Sequence, residues 1–166
     1  MDWSRLLRHA MTSRRATHGF FAGDTLAHLQ RVIADGEATH RGEVRLIVES
    51  AMPLRKVARG LGPRQRALDL FGTFRVWDTE ENNGVLLYIN VADRRVEVIA
   101  DRAVARKVDD AEWRAICAEA GRAFATGAYR DGTVAALDAI EKALAAAFPP
   151  DGGERRNELS DAPVVL

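Results

Sequence analysis

Cysteine is almost missing from this chain: Cys117 stands alone in 166 residues. One thiol excludes an intrachain disulfide and any thiolate metal cage. Its helical spacing from Trp113, Ile116 and Ala120 reads as a small buried apolar position. Long hydrophobic runs are missing too. No segment reaches the roughly 18 uninterrupted apolar residues of a membrane span, and residues 1–19 hold no apolar stretch of signal-peptide length. Cytoplasmic residence is the resulting expectation, with a peripheral place at the inner membrane open to it through a membrane-bound partner. Charge of one sign is not in excess. With 24 basic and 24 acidic residues the formal net charge is zero, so no global field recruits nucleic acid.

Several chemistries are excluded by missing motifs. The chain has no Gly-rich phosphate loop, no GxSxG elbow, no HExxH and no CxxC. His9, His18, His28 and His40 never stand four residues apart as a zinc-binding pair would. Ser, His and Asp occur as scattered singles, so no triad and no catalytic residue is assigned. Internal repeats and low-complexity tracts are absent as well.

What is present centres on residues 71–102, FGTFRVWDTEENNGVLLYINVADRRVEVIADR. The run GVLLYINV is apolar at nearly every position, as a strand buried on both faces reads. Ala92, Asp93 and Arg94 supply a polar turn, after which Val96, Val98 and Ala100 alternate with Arg95, Glu97 and Asp101. Period two at that point predicts an antiparallel partner and hence a hairpin. Such a hairpin returns Asp101 and Arg102 to the loop before its first strand, DTEENN at residues 78–83. Asp78, Thr79, Glu80, Glu81, Asn82 and Asn83 are hard oxygen donors, the ligand type of calcium, which takes about 6–8 of them. The candidate metal ligands are therefore Asp78, Glu80, Glu81, Asn82, Asn83 and Asp101, with Arg102 as a candidate anion contact and calcium as the expected cation. The same Asn-Asn-Gly is also turn chemistry that reverses a chain at little cost.

Around the hairpin the chain reads as α and β elements. Residues 1–19 form an N-terminal helical extension in which Trp3, Leu6, Leu7, Ala10 and Met11 fall near helical spacing among Arg5, Arg8, Arg14 and Arg15. An interfacial membrane helix gives that pattern, and so does a helix packed on the domain, which is the expectation. A helix opening at Gly23-Asp24 carries Leu26, Leu29, Val32 and Ile33, with Asp24 as its cap. EVRLIVES at 43–50 is a central strand, parallel to the one after Gly84 because a helical crossover separates them. Residues 52–60 are undecided: Pro53 bars a strand interior, and Arg55, Lys56, Arg59, Arg64 and Arg66 read as solvated surface, with an anion-binding face as the alternative. From Pro63 a helix buries Ala67, Leu68, Leu70, Phe71 and Phe74 and delivers Trp77 as a core anchor beside the loop. Asp109 caps a helix with Trp113, Ile116, Cys117, Ala120 and Phe124 on one face. Asp131-Gly132 leads into a last helix, which Pro149-Pro150 stops. The polar tail of residues 149–166 ends in Val164, Val165 and Leu166, a short apolar segment able to dock on the domain or a partner.

WDTEENNGVLLYI followed by DRRVEVIADR resembles the signature of the TPM domain family, known from thylakoids, bacterial envelopes and animal membranes. HRGEVRLIVES resembles that family's first strand and RQRALDLFGTFRVWDT its preceding helix. The helical pair around Trp113 and Tyr129 resembles its closing segment, so the likeness runs over residues 20–148. NELSDAPVVL resembles the tail of a short bacterial subgroup without signal peptide or membrane anchor. The resemblance implies a three-layer α/β/α sandwich with a central mixed sheet of about four strands flanked by helices. It also implies a metal-binding edge and, for some members, weak acid phosphatase activity. One departure is visible: relatives carry Gly after ADR, where this chain has Ala103, and a positive φ would strain Ala there.

Two functions follow from different classes. In one, the domain is a binding or adaptor module whose acidic loop holds a divalent cation and whose partner is a protein, which the resemblance extends to a membrane complex. In the other it is a metal-assisted acid phosphatase, in which a cation held by Asp78, Glu80 or Glu81 polarises the phosphoryl group and Arg102 steadies it. Nothing in the chain resembles an activated nucleophile, which favours the module.

Overall fold

Residues 84–91 are apolar at both parities because the strand they open is covered on both faces. The structure, a computed structural model, describes residues 2–153 and 156–166, and of Arg14 and Ala16 the backbone alone. In chain order the elements are α1 (Trp3–Met11), α2 (Arg14–Phe20), α3 (Gly23–Glu37), β1 (Glu43–Glu49), α4 (Leu54–Ala58) and α5 (Pro63–Thr73). They continue with β2 (Gly84–Asn90), β3 (Arg95–Ala100), α6 (Arg102–Ala105), α7 (Asp110–Ala125), α8 (Tyr129–Ala147) and β4 (Val164–Val165). The sheet runs β3-β2-β1-β4. β1 is parallel to β2 and to β4, and β2 is antiparallel to β3, so the sheet is mixed.

One face of the sheet, with Val44, Leu46, Val85, Leu87, Ile89, Val96 and Val98, packs under α3, α7 and α8 through Leu29, Ile33, Trp113, Phe124, Leu137 and Leu144. The other face, with Ile47, Leu86, Tyr88 and Ile99, packs on Ala67 and Leu70 of α5, on Val76, and on Leu159 and Val164 of the tail. That is the three-layer sandwich. Each fully buried Leu or Ile contributes about 1.5–3 kcal/mol relative to exposure, which makes the doubly covered β2 the energetic centre of the chain. No helix among the described residues is long and apolar enough to cross a membrane.

Several local expectations shift, each for a physical reason. α3 starts at Gly23 after Ala22, so Asp24 lies within the first turn, where it meets the positive end of the helix dipole rather than capping it. α8 starts at Tyr129, ahead of Asp131-Gly132. Gly132 lies where α8 crosses α7, and a Cβ there would sit 2.8 Å from Ala123 Cβ, so Gly permits the close approach. α5 buries Ala67 and Leu70 but leaves Leu68 exposed and Phe71 and Phe74 half-buried, because the tail shares that face of the sheet. Trp77 is 48% exposed, not a core anchor. Past α5 the chain turns through Arg75 at φ 52°, and Val76 takes the inward direction that its neighbour then cannot. Residues 52–60 resolve into the short α4, ended by Gly60 at φ 79°. Cys117 is half-buried, and burial pushes its thiol up to about 11. Ala103 lies within the helical α6, without positive φ and without the strain that a left-handed backbone would impose.

The apolar end of the tail docks on its own domain. Val164 and Val165 pair with Ile47 and Val48. Leu166 N–H donates to Val48 O at 2.9 Å, and Ser50 N–H donates to Leu166 O at 3.1 Å. Glu43 and Arg45 of β1 fasten the approach: the Glu43 carboxylate accepts from Glu158 and Leu159 N–H, and Arg45 donates to the carbonyls of Ser160 and Ala162. α1 packs on the domain as well, but through polar side chains. Arg5 makes a forked contact with Asp93 at 2.8–3.2 Å, and the buried His9 accepts Met52 N–H on Nδ1 and lies 3.1 Å from Asp93 through Nε2.

Candidate functional site

The N-terminal ends of β1 and β2 lie side by side, Glu43 opposite Gly84, and this edge gathers the loop of residues 78–83. Gly84 is required there: a Cβ would fall 1.9 Å from Val76 O, so only Gly lets β2 start against the turn that follows α5. Asn82 adopts φ 53°, the left-handed turn for which Asn is suited. The hairpin returns as expected. Asp101 N–H donates to Gly84 O at 2.9 Å and Ala103 N–H to Asn82 O at 3.1 Å, so the start of α6 is stitched to the loop by backbone bonds.

The candidate ligands divide into two groups at this edge. Asn82, Asp101 and Arg102 form the first. Asp101 caps α6 by accepting Arg102 N–H on Oδ1 at 2.7 Å, and Arg102 Nη2 reaches Asn82 Oδ1 at 2.5 Å. Glu80, Glu81 and Asn83 form the second, in a cavity of about 340 Å³ shared with His40, Arg41, Glu43, Glu158 and residues 150–153 of the tail. Asp78 lines neither; it is exposed, and its N–H closes a turn onto Arg75 O. Thr79 Oγ1 accepts Asn83 N–H at 3.0 Å, holding the loop in shape rather than offering itself outward.

Two atoms stand out. Asn83 is 2% exposed and Asp101 6%, and neither Asn83 Oδ1 nor Asp101 Oδ2 has a hydrogen-bond partner among the described residues. A buried oxygen without a partner costs about 1–3 kcal/mol. Both are hard acceptors, the donor type that suits a calcium-like cation, so the residues fit the group the resemblance implies. Acidic side chains alone do not build a cage here: no set of three or more His, Cys, Asp or Glu among the described residues is arranged to hold a metal. Amide, backbone and water oxygens would have to complete the shell.

Sequence reasoning missed Arg41 and His40. Arg41 Nη1 meets Glu81 at 2.5 Å and Asp151 at 3.5 Å, its Nε donates to Pro149 O, and its carbonyl accepts from Asn83 Nδ2. It therefore offsets the negative charge of the loop from within the cavity. His40 is buried, accepts Gly42 N–H on Nδ1 at 3.0 Å and turns Nε2 toward Glu141, which assigns the Nε2–H tautomer and leaves no lone pair for a metal. The one available signal was position, since both precede the strand that opens at Glu43. A larger groove, of about 750 Å³, lies away from this edge between β3 and α7. Of its five arginines, Arg64 is engaged with Val98 O and Glu97, Arg114 with Asp110 and Arg122 with Glu119, which leaves Arg94 and Arg95 at its rim.

The comparisons agree with this architecture. The family model of the TPM domain matches residues 15–143. Among solved structures, the NMR structure of the BA42 protein from the psychrophilic bacterium Bizionia argentinensis superposes with a TM-score of 0.76. It does so at 24% identity over 89% of this chain and 96% of that chain, a likeness that carries the fold. No curated protein matches the chain.

Proposed function

The chain belongs to the TPM domain family, and from that premise we propose that it works as a binding or adaptor module whose loop edge holds a divalent cation, calcium by the hardness of its donors. The observation that carries this reading is the pair of buried oxygens without partners, Asn83 Oδ1 and Asp101 Oδ2, on two segments tied together by backbone hydrogen bonds. Glu80, Glu81 and Asn82 supply further side-chain oxygens of the proposed shell, and Asp78, exposed and in neither group, would have to turn toward the edge to join them. When bound, the cation ties the loop to the start of α6 and stiffens the surface that a protein partner reads. The reading sets the module in the cytoplasm, at the inner face of the membrane when that partner is membrane-bound.

Calorimetric titration of calcium into metal-free protein tests it. Micromolar to millimolar binding is expected in the wild type and is lost in an Asn83→Ala/Asp101→Asn variant that keeps its circular dichroism. Saturation at about 100 times Kd should add about 2.7 kcal/mol of stability. No heat and no shift in melting would sink the proposal. The phosphatase reading rests on Arg102, whose side chain is largely exposed beside Asp101. It needs p-nitrophenyl phosphate turnover that falls in Arg102→Ala; background rates in every metal remove it.

A further inference from the structure

α1 is attached to the domain the wrong way round for a soluble surface helix. Its inward face is polar: Arg5 and the fully buried His9 converge on the buried Asp93. Its outward face carries Trp3, Leu7 and Met11, spaced four residues apart and 71%, 59% and 74% exposed. The charged clamp fixes this orientation. His9 Nδ1 takes Met52 N–H, so Nε2 carries the proton that faces Asp93, and Arg5 adds its forked contact. Rotating the stripe inward would strip the buried Asp93 carboxylate of Arg5 and His9, and a buried charge left without its partners is strongly destabilising.

Phe20 is also exposed, and it lies across a groove of about 570 Å³ from Leu7 and Met11, with Val91, Arg8 and Arg94 in its walls. Charge is uneven here although the whole chain is neutral. Residues 2–20 contain Arg5, Arg8, Arg14 and Arg15 against a single acid, Asp2; Asp93 takes up Arg5 and lies 3.9 Å from the exposed Arg8, so with both acids counted the surplus is two positive charges. We propose that this face docks on an anionic lipid bilayer, with Trp3, Leu7 and Met11 entering the interface and the exposed Arg8 meeting lipid phosphate.

An exposed apolar stripe flanked by arginine suits a lipid interface, where apolar burial and attraction to anionic headgroups add. Tryptophan favours that depth. A second copy fits less well, because a helix of nine residues spans only about 13 Å. Three side chains on it fall far short of the roughly 800 Å² per partner that a stable interface buries. The inference goes beyond the cation reading and does not need it, since none of the candidate ligands lies on α1.

Sedimentation of the full chain with vesicles tests it, using 3:1 phosphatidylcholine to phosphatidylglycerol against phosphatidylcholine alone in about 0.1 M salt. The protein should pellet with the anionic vesicles, in EDTA as in calcium. Leu7→Glu should weaken partitioning by about tenfold or more while leaving the melting curve unchanged, because the side chain is exposed. Brominated lipid should quench tryptophan emission in the wild type, and the quenching should fall in Trp3→Phe. Absence of pelleting with anionic vesicles overturns the proposal, as does pelleting that Leu7→Glu leaves intact. A dimer in light scattering that Leu7→Glu dissolves would assign the stripe to a second copy instead.

Discussion

The two ends of the central strands treat buried carboxylate and amide oxygens in opposite ways. At the C-terminal end Glu49, Tyr88 and Asn90 form a closed set. Arg66 forks onto both oxygens of Glu49 at 2.6–3.2 Å, Tyr88 O–H donates to Glu49 at 2.6 Å, Asn90 Nδ2 donates to Tyr88 Oη, and Asn90 Oδ1 accepts Asp93 N–H. At the N-terminal end Asn83 and Asp101 each keep one buried oxygen in reserve. A closed network rigidifies a core, whereas spare oxygens are open to water or a ligand. Ser50 Oγ, at the C-terminal end, is also without a partner among the described residues, so what separates the two ends is unspent carboxylate and amide capacity rather than abundance of charge.

The largest expected effect breaks the closed end. Glu49→Ala strands the Arg66 guanidinium and the Tyr88 hydroxyl inside the protein, and removing one partner of a buried ion pair typically costs about 3–5 kcal/mol. Urea denaturation should show that loss; a change below about 1 kcal/mol would mean the end is not closed after all. Asp93, in the turn between β2 and β3, gives a smaller effect with a pH signature. Burial alone raises its carboxyl, but hydrogen bonds from His9 and Arg5 outweigh burial and hold it below the usual carboxylate range. A depressed native value means the contribution is present above the unfolded carboxyl value of about 3.9 and disappears as pH falls through the native one. Asp93→Asn should then cost about 2 kcal/mol at pH 7, and the gap in melting temperature from wild type should close on acidification below about pH 4. A gap that is constant with pH would show that Asp93 acts through packing rather than charge.

How much of this was legible in the sequence follows from the kind of signal each part carries. The hairpin, the parallel pairing of residues 43–50 with those after Gly84, and the amphipathic α7 rest on hydrophobic period, which local residues encode directly. The contents of the edge were legible as residue types, because the turn chemistry of Asn82 and Gly84 and the return of Asp101 both follow from a hairpin. Direction was not legible. Whether Val76 or its neighbour Trp77 faces inward depends on one left-handed residue, Arg75, and whether α1 shows the domain its apolar or its polar side depends on Asp93, more than eighty residues away. Glu37 illustrates the same point: on an apolar-striped helix it reads as solvated, yet it is buried and accepts Val44 N–H at 2.8 Å. Buried polar pairings between distant residues leave no periodic trace.

The smallest expected effect sharpens the open end. Arg41 and Glu81 are both partly exposed, so their ion pair contributes on the order of 0.2–1 kcal/mol, and Arg41→Ala should barely move the urea midpoint. Its effect on cation binding should be larger than its effect on stability. The guanidinium lies against one of the proposed ligands and brings a positive charge into the cavity where calcium would sit, so a cation must displace or tolerate it. Removing it lowers both costs, and calcium affinity should rise several-fold, most at low ionic strength where the repulsion is least screened. Calorimetry of Arg41→Ala at about 0.02 and 0.2 M salt reads this directly. If the variant binds no more tightly at either, Glu81 is not a ligand, and the cation proposal contracts to Asn83, Asp101 and the backbone that joins them.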